Sequence, residues 1–203
     1  MSDFSIDIRR MRWYNGGILR KHEGIKMELI LLNEEQKEIY KDDILKLMRI
    51  SDSDFVPPMS QRFSPFQTEL GPSDTVIEEG ILRYYRSMMR ETVLCAVEDG
   101  VLLGFVTYVE DIKYSSVITE ADRPNIYICT LIVNPKARGR GITYRMYDYL
   151  FNEKFANSHL FTRTWSTNLA HISILKKYGF DEIHRIKDDR GEGIDTVYFG
   201  KRR

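Results

Sequence analysis

Apolar positions recur along this chain in two rhythms, and the switch from one to the other marks its elements. Residues 126–133 form an unbroken run that suits a buried strand. After it Met146, Tyr147, Leu150, Phe151 and Phe155 return at the three- and four-residue spacing of an amphipathic helix. Nearer the start, Glu28-Leu29-Ile30-Leu31-Leu32 reads as a strand, and Asn33 with Gln36 makes a capping box. The helix it opens carries the stripe Tyr40, Ile44, Leu47 and Met48 and closes before the polar cluster at 51–54. Thr75 and Glu78 offer a second capping box, for a helix with Ile77, Ile81, Tyr85 and Met88 on one face. Residues 93–97 and 101–109 flank Glu98-Asp99-Gly100, in which Asp-Gly signals a tight antiparallel hairpin. A strand at 160–165, a helix at 168–178 and strands at 180–186 and 194–199 complete the set, with Arg190-Gly191-Glu192-Gly193 as the last turn. The predicted order is βααβββαβαββ, a mixed α/β layout without internal repeats.

Two connections are long. Residues 55–73 carry Phe55, Met59, Phe63 and Phe66 among prolines, more apolar than a solvated loop requires, which suits a lid or substrate wall, or a cover for one end of the core. The polar stretch at 113–125 leads into the 126–133 strand. Residues 1–25 lack periodicity and contain Asn15-Gly16-Gly17, so they read as an N-terminal extension to a single domain at 26–203.

Thirty basic residues balance thirty acidic ones in a chain of 203, so no general field draws it to nucleic acid or to an anionic membrane. Any anion site must be local. Cys95 and Cys129 are too few for a disulfide framework and sit in apolar runs, as reduced core residues do. No apolar h-region follows Arg9, Arg10 and Arg12, and no run approaches the length of a membrane span, so the expectation is a cytoplasmic protein. Its histidines and cysteines show no zinc-type spacing, and no metal is expected.

The candidate chemistry begins between the 126–133 strand and the helix after it. Asn134-Pro135-Lys136-Ala137-Arg138-Gly139-Arg140-Gly141-Ile142-Thr143 brings glycines and arginines to a helix N-terminus, where unpaired N–H groups and the macrodipole favour an anion. The same residues suit a plain strand-to-helix turn. They do not form a P-loop, which needs a Gly-Lys-Ser/Thr ending, nor a dinucleotide fingerprint, whose glycines are spaced differently.

Residues 168–180 supply a second constellation, a short helix capped by Asn168 and stopped by Gly179 before Phe180. Together the two resemble the GNAT superfamily of N-acetyltransferases, in which an Arg/Gln-x-x-Gly-x-Gly/Ala loop precedes an Asn-initiated helix ending in Lys-x-Gly-Phe. The approach Leu131, Val133, Pro135 agrees as well. The resemblance covers about the last 110 residues, while the βαα start agrees in order of elements only. It implies an α/β (α+β) fold with a mostly antiparallel sheet of six to seven strands flanked by about four helices. It also implies acetyl-CoA as co-substrate, its pyrophosphate cradled by amides of Arg138, Gly139, Arg140, Gly141, Ile142 and Thr143. Leu131, Ile132 and Val133 would run beside the pantetheine arm, with Asn168 and Lys177 completing the cofactor set. The implied partner is a primary amine, small molecule or protein-borne, with neither nucleic acid nor membrane involved, and a homodimer is common in the family.

The chain departs from the family pattern at two positions. Thr143 stands where the loop usually ends in a smaller residue, and Leu175 stands where many members carry a tyrosine thought to protonate the departing thiolate. Tyr178, one turn on, is a substitute acid or a core aromatic. The general base expected for the attacking amine is His171, on the cofactor-facing helix, or Glu110 (with Asp111 beside it), at the end of the hairpin strand. Each also suits a structural place, His171 packed on the helix face and Glu110 solvated at a strand end. Cys129 reads as a buried filler, since direct transfer needs no acyl-enzyme. The loss of the tyrosine keeps an alternative open, a CoA-binding sensor or interaction module with weak or no catalysis. A nucleic-acid-binding reading would rest on Arg138, Arg140 and the Lys201-Arg202-Arg203 tail, against the neutral net charge. In either amine-directed reading, acceptor choice would fall to residues 55–73 and 113–125, where Glu120 and Asp122 offer charge to a cationic amine.

Overall fold

The elements follow one another in the predicted order. In the computed structural model, which describes residues 27–65, 76–112 and 124–203, they are β1 (Glu28–Leu31), α1 (Glu34–Ser51), α2 (Ile77–Met88), β2 (Thr92–Glu98), β3 (Val101–Glu110), β4 (Asn125–Val133), α3 (Ile142–Asp148), β5 (His159–Trp165), α4 (Leu169–Lys177), β6 (Asp181–Ile186) and β7 (Thr196–Lys201). The expectations for residues 1–25, for Phe66 and the rest of 66–73, for Thr75, and for Glu120 and Asp122 in 113–123 lie outside the described residues.

The strands form one seven-stranded sheet in the order β1-β2-β3-β4-β5-β7-β6, antiparallel except where β4 meets β5. Helices cover both faces. α1 and α2 lay Tyr40, Ile44, Met48, Ile81, Tyr84 and Met88 over Cys95, Phe105 and Ile132. α3, its continuation and α4 lay Met146, Tyr147, Leu150, Phe151 and Leu175 over Val106, Tyr108, Ile128 and Leu160. With both faces buried, the central strands read as the continuous apolar runs seen in the sequence rather than as alternation.

Local chemistry sets the boundaries. The Asn33 side chain accepts from the Gln36 N–H (2.8 Å) while Gln36 Oε1 accepts from the Asn33 N–H (3.0 Å), closing the expected capping box. α1 runs on to Ser51, because Asp52 turns inward to accept from the N–H and hydroxyl of Ser60. The expectation for Glu78 is corrected: its carboxylate takes a forked bond from Arg49 of α1, α2 starts without a side-chain cap, and Ile77 is 64% exposed while Tyr84 fills the buried face. Asp99 and Gly100 both take positive φ (50° and 77°), as a two-residue hairpin turn requires. After Asp148 the helix widens into a π-helical stretch, Tyr149–Lys154, that ends with the Phe155 N–H on the Leu150 carbonyl.

Two irregularities of β4 position the site. Val106 pairs with Leu131 but Tyr108 pairs with Ile128, so β4 carries one extra residue, around Cys129 and Thr130, opposite Thr107. The bulge reverses side-chain parity. Ile126 and Ile128 face α3 and α4 before it, Leu131 and Val133 do so after it, and Ile132 turns to α1 and α2. The parallel ladder to β5 stops at the same place: it covers Asn125–Ile128 against His159–Thr162, while β4 continues to Val133 and β5 to Trp165 along β7. Among the described residues, the backbone edge of β4 beyond the bulge therefore has no strand beside it on the β5 side.

Candidate active site

The loop after β4 opens a helix through two glycines in the left-handed region, Gly139 (φ 77°) and Gly141 (φ 74°), the latter at the N-cap of α3. A Cβ at either would meet nothing within 4 Å, so these glycines serve backbone conformation and open approach, not tight packing. The first N–H of α3 to close onto the helix is that of Arg145, on the Gly141 carbonyl (3.1 Å), so the amides of Ile142, Thr143 and Tyr144 precede the first intrahelical bond. Ile142 buries its side chain at 2% exposure and Thr143 is half-buried.

The two loop arginines do not converge on these amides. Arg138 Nη2 bonds Asp54 at 2.5 Å, and Arg140 Nη2 bonds both oxygens of Glu98 at 2.7 and 2.9 Å. Each guanidinium is held by a carboxylate of a neighbouring element, so an anion approaching this loop would meet backbone amides first.

α4 closes the other side. Asn168 caps it, accepting from the His171 N–H (3.3 Å) and donating from Nδ2 to Thr164 Oγ1 (3.0 Å). Lys177 lies 4.6 Å from the Tyr144 ring centroid, bringing the end of α4 against the start of α3. Leu175 is fully buried in the core. Tyr178 donates to Asp148 Oδ1 (2.8 Å) and to the Tyr144 carbonyl (3.0 Å), and burial with the Asp148 charge pushes its pKa up, so it is a structural tie between helices. The Nε2 of His171 meets the Tyr147 hydroxyl at 2.7 Å, and burial pulls its pKa down to about 4. Glu110 is exposed, pairs with Ile126 and follows Tyr108 on the α3 side, before the bulge. Leu131 and Val133 are half-buried on that same face, whereas the Ile132 side chain is buried on the other.

On the α1–α2 face of the bulge lies a polar cluster that sequence reasoning missed. Glu91, in the turn from α2 to β2, is 6% exposed, and neither of its carboxylate oxygens completes a hydrogen bond among the described residues. Burial lifts its pKa to about 7, with the Thr107 hydroxyl and the Cys129 thiol beside it pulling the other way. Thr107 Oγ1 accepts from the Thr130 N–H (3.2 Å), and Thr130 Oγ1 shares a proton with the Tyr84 hydroxyl (2.9 Å), which ties α2 to the bulge. The Cys129 thiol is pushed up by burial and by Glu91, so it stays protonated, as a filler does. Nothing local marks Glu91, because its neighbours come from β3 and β4. Arg62, Arg163 and Arg190 gather farther along this face. Among the described residues no group of three His, Cys, Asp or Glu side chains is placed to hold a metal ion, and no helix is long and apolar enough to cross a membrane.

Comparison with known proteins bears on this geometry. No curated protein sequence matches significantly. Among solved structures, the ribosomal-protein-alanine N-acetyltransferase of Brucella melitensis is similar over 87% of this chain and 99% of its own, with TM-score 0.58 and 16% identity. NAA60 of Arabidopsis thaliana, solved with a bisubstrate analogue, is similar over 87% and 97% (TM-score 0.56, 17% identity). An aminoglycoside 6′-N-acetyltransferase, solved with coenzyme A, is similar over 86% and 96% (TM-score 0.55, 15% identity). At such identities the likeness speaks for the fold. The acetyltransferase (GNAT) family model matches residues 56–180, from the loop after α1 through the Asn168 helix to Phe180, and the chain belongs to that family.

Proposed function

We propose that the protein transfers an acetyl group from acetyl-CoA to a primary amine, small molecule or protein-borne, by direct attack in a ternary complex. The observation that carries this reading is the opening of β4 from β5 beyond Ile128, next to a loop whose free amides face an uncrowded approach. A strand edge with no neighbour suits the amides of a pantetheine arm, as it would suit an added strand. In this reading the backbones of Leu131, Ile132 and Val133 hold that arm, with Asn168 and Lys177 at its flank. The amides of Arg138, Gly139, Arg140, Gly141, Ile142 and Thr143 take the pyrophosphate.

Acetyl-CoA, when bound, supplies an activated acyl group whose thiolate leaves tolerably near neutral pH, a thiol pKa being about 8.5. Glu91 is the base we assign. Its pKa of about 7 leaves a useful fraction ionised to accept a proton from an incoming ammonium, directly or through water. Thr130 gives its N–H to Thr107, so oxyanion donors come from other amides of the strand. No side-chain acid is needed for the leaving group, which agrees with Leu175 in place of the family tyrosine. The domain is taken as residues 26–203 with 1–25 as an extension, and a cytoplasmic location and a homodimer accompany the reading.

The test mixes the protein with acetyl-CoA and a panel of primary amines, following thiol release and the mass of the acetylated product. Release that depends on both protein and amine is expected. Leu175 favours the second reading, a CoA-binding module without turnover. Tight acetyl-CoA binding with no release across the panel would establish that reading instead.

A further inference from the structure

The α1–α2 side of the sheet concentrates positive charge that neither the core nor the cofactor loop uses. Arg62, 8% exposed, follows the Met59–Gln61 turn, and Arg190, half-buried, comes from the β6–β7 turn. Both donate to one carbonyl, that of Val56, at 2.9 Å from Arg62 Nη2 and 2.6 Å from Arg190 Nη1. Arg62 Nε adds a bond to the Pro57 carbonyl (2.9 Å) and Arg190 Nε one to Thr196 Oγ1 (2.8 Å). Arg62 lies 5.5 Å from the Phe55 ring centroid and Arg190 6.0 Å from that of Trp165, and those two rings are 5.7 Å apart. The guanidiniums are thus fixed in orientation before any ligand arrives.

Every one of these acceptors is neutral, so none cancels the charge. Among the described residues neither arginine forms a salt bridge. Asp52 is engaged by Ser60 and Asp189 by the Thr196 hydroxyl, and their pull is outweighed by burial. Arg163 adds a third charge close enough to lower the pKa of both, and Arg190 falls to about 9. Burying like charges together is costly unless a counter-charge joins them, and an oriented guanidinium matches a carboxylate in two-pronged fashion.

We propose that Arg62 and Arg190 form a subsite for an anionic group of the acceptor, so that the preferred acceptors are amines that carry a carboxylate. The inference rests on the acetyl-transfer reading for the word acceptor. It is linked to the reacting end by Tyr84, whose hydroxyl bonds Thr130 at the bulge and whose ring oxygen feels both Arg62 and Glu91. Carboxylate recognition and proton acceptance thereby face one stretch of β4.

The experiment titrates the full chain, saturated with CoA, in a calorimeter with free amino acids, with the same amino acids as C-terminal amides, and with matching aminophosphonates. Acids are expected to bind about tenfold or more tightly than their amides, the range of a charge-assisted bond, and Arg190→Gln is expected to bring the two within about threefold. Amides that bind as well as acids would overturn the proposal, as would Arg190→Gln keeping the preference. A phosphonate held more tightly than its carboxylate would overturn the choice of carboxylate. If Arg190→Gln fails to fold, the acid-to-amide ratio of the unaltered protein decides alone. Selective binding of acids with no thiol release would sink the acetyl-transfer reading and leave the anion subsite standing.

Discussion

Replacing Glu91 by glutamine separates stability from catalysis at one atom pair. The carboxyl is 6% exposed without a completed hydrogen bond, and burial raises its pKa from 4.5 to about 7. In the unfolded chain it ionises near its ordinary value, so between those two pH values the unfolded state sheds a proton that the native state keeps. Stability therefore falls as pH rises through this window, and above it the full cost is present. A shift from 4.5 to about 7, at about 1.4 kcal/mol per unit, corresponds to about 3 kcal/mol. Glutamine keeps the shape and cannot ionise. The Glu91→Gln protein should match the native one below about pH 4 and exceed it by about 3 kcal/mol near about pH 8, measured by urea unfolding at both. Acetyl transfer should move the opposite way. Native kcat/KM should rise with pH through an apparent pKa near 7, and the variant should lose that limb together with about a hundredfold or more in rate. A stability difference that is the same at both pH values, or a variant that keeps the limb, would refute the assignment.

Restoring the family tyrosine as Leu175→Tyr should not restore an acid. Leu175 is fully buried, so the larger ring should overpack the core and cost about 1–3 kcal/mol in thermal or urea unfolding without raising kcat. Gly80→Ala would drive a Cβ to 2.0 Å from the Ser60 carbonyl oxygen, whereas Gly139→Ala meets nothing within 4 Å and strains only its φ of 77°. The first should cost more in unfolding free energy than the second, which is set at about 1–2 kcal/mol by the left-handed backbone. His171, held neutral with a pKa near 4, should make the protein labile to acid: the unfolded chain binds a proton below about 6.5, so stability falls as pH drops from there toward 4. His171→Gln should flatten that loss in urea midpoints taken across the range.

Much of the fold was legible because its signals are local. The Asn33–Gln36 box, the Asp99-Gly100 turn and the Asn168 cap each fix an element end through atoms within a few residues, and all appear as read. The turn into α3 through Gly139 and Gly141 was legible for the same reason. Longer-range choices were not. Glu78 satisfies a capping pattern yet answers to Arg49, and Arg138 and Arg140 point to Asp54 and Glu98, because charged partners brought in by packing outcompete local ones. The π-helical stretch keeps the apolar spacing of an ordinary helix, and a single extra residue leaves no trace in that spacing. Glu91 sits between Arg90 and Thr92 like any solvated turn residue. What makes it unusual is the wall of Thr107, Cys129 and Tyr84 around it, which only the folded sheet assembles. Arg62 and Arg190 were likewise ordinary until one carbonyl joined them.

The short parallel ladder between β4 and β5 is also the seam between two antiparallel sets of strands. One set runs from β1 to β4 and the other from β5 to β7, and among the described residues the strand pairing that joins them is Asn125–Ile128 against His159–Thr162. The seam registers fewer residue pairs than β2 with β3 or β5 with β7, so its amides are expected to exchange with solvent through smaller openings than those of these pairs. A molecule seated in the gap would replace missing rungs of the ladder, and its binding free energy should appear as slower exchange along the seam as well as at the residues it touches.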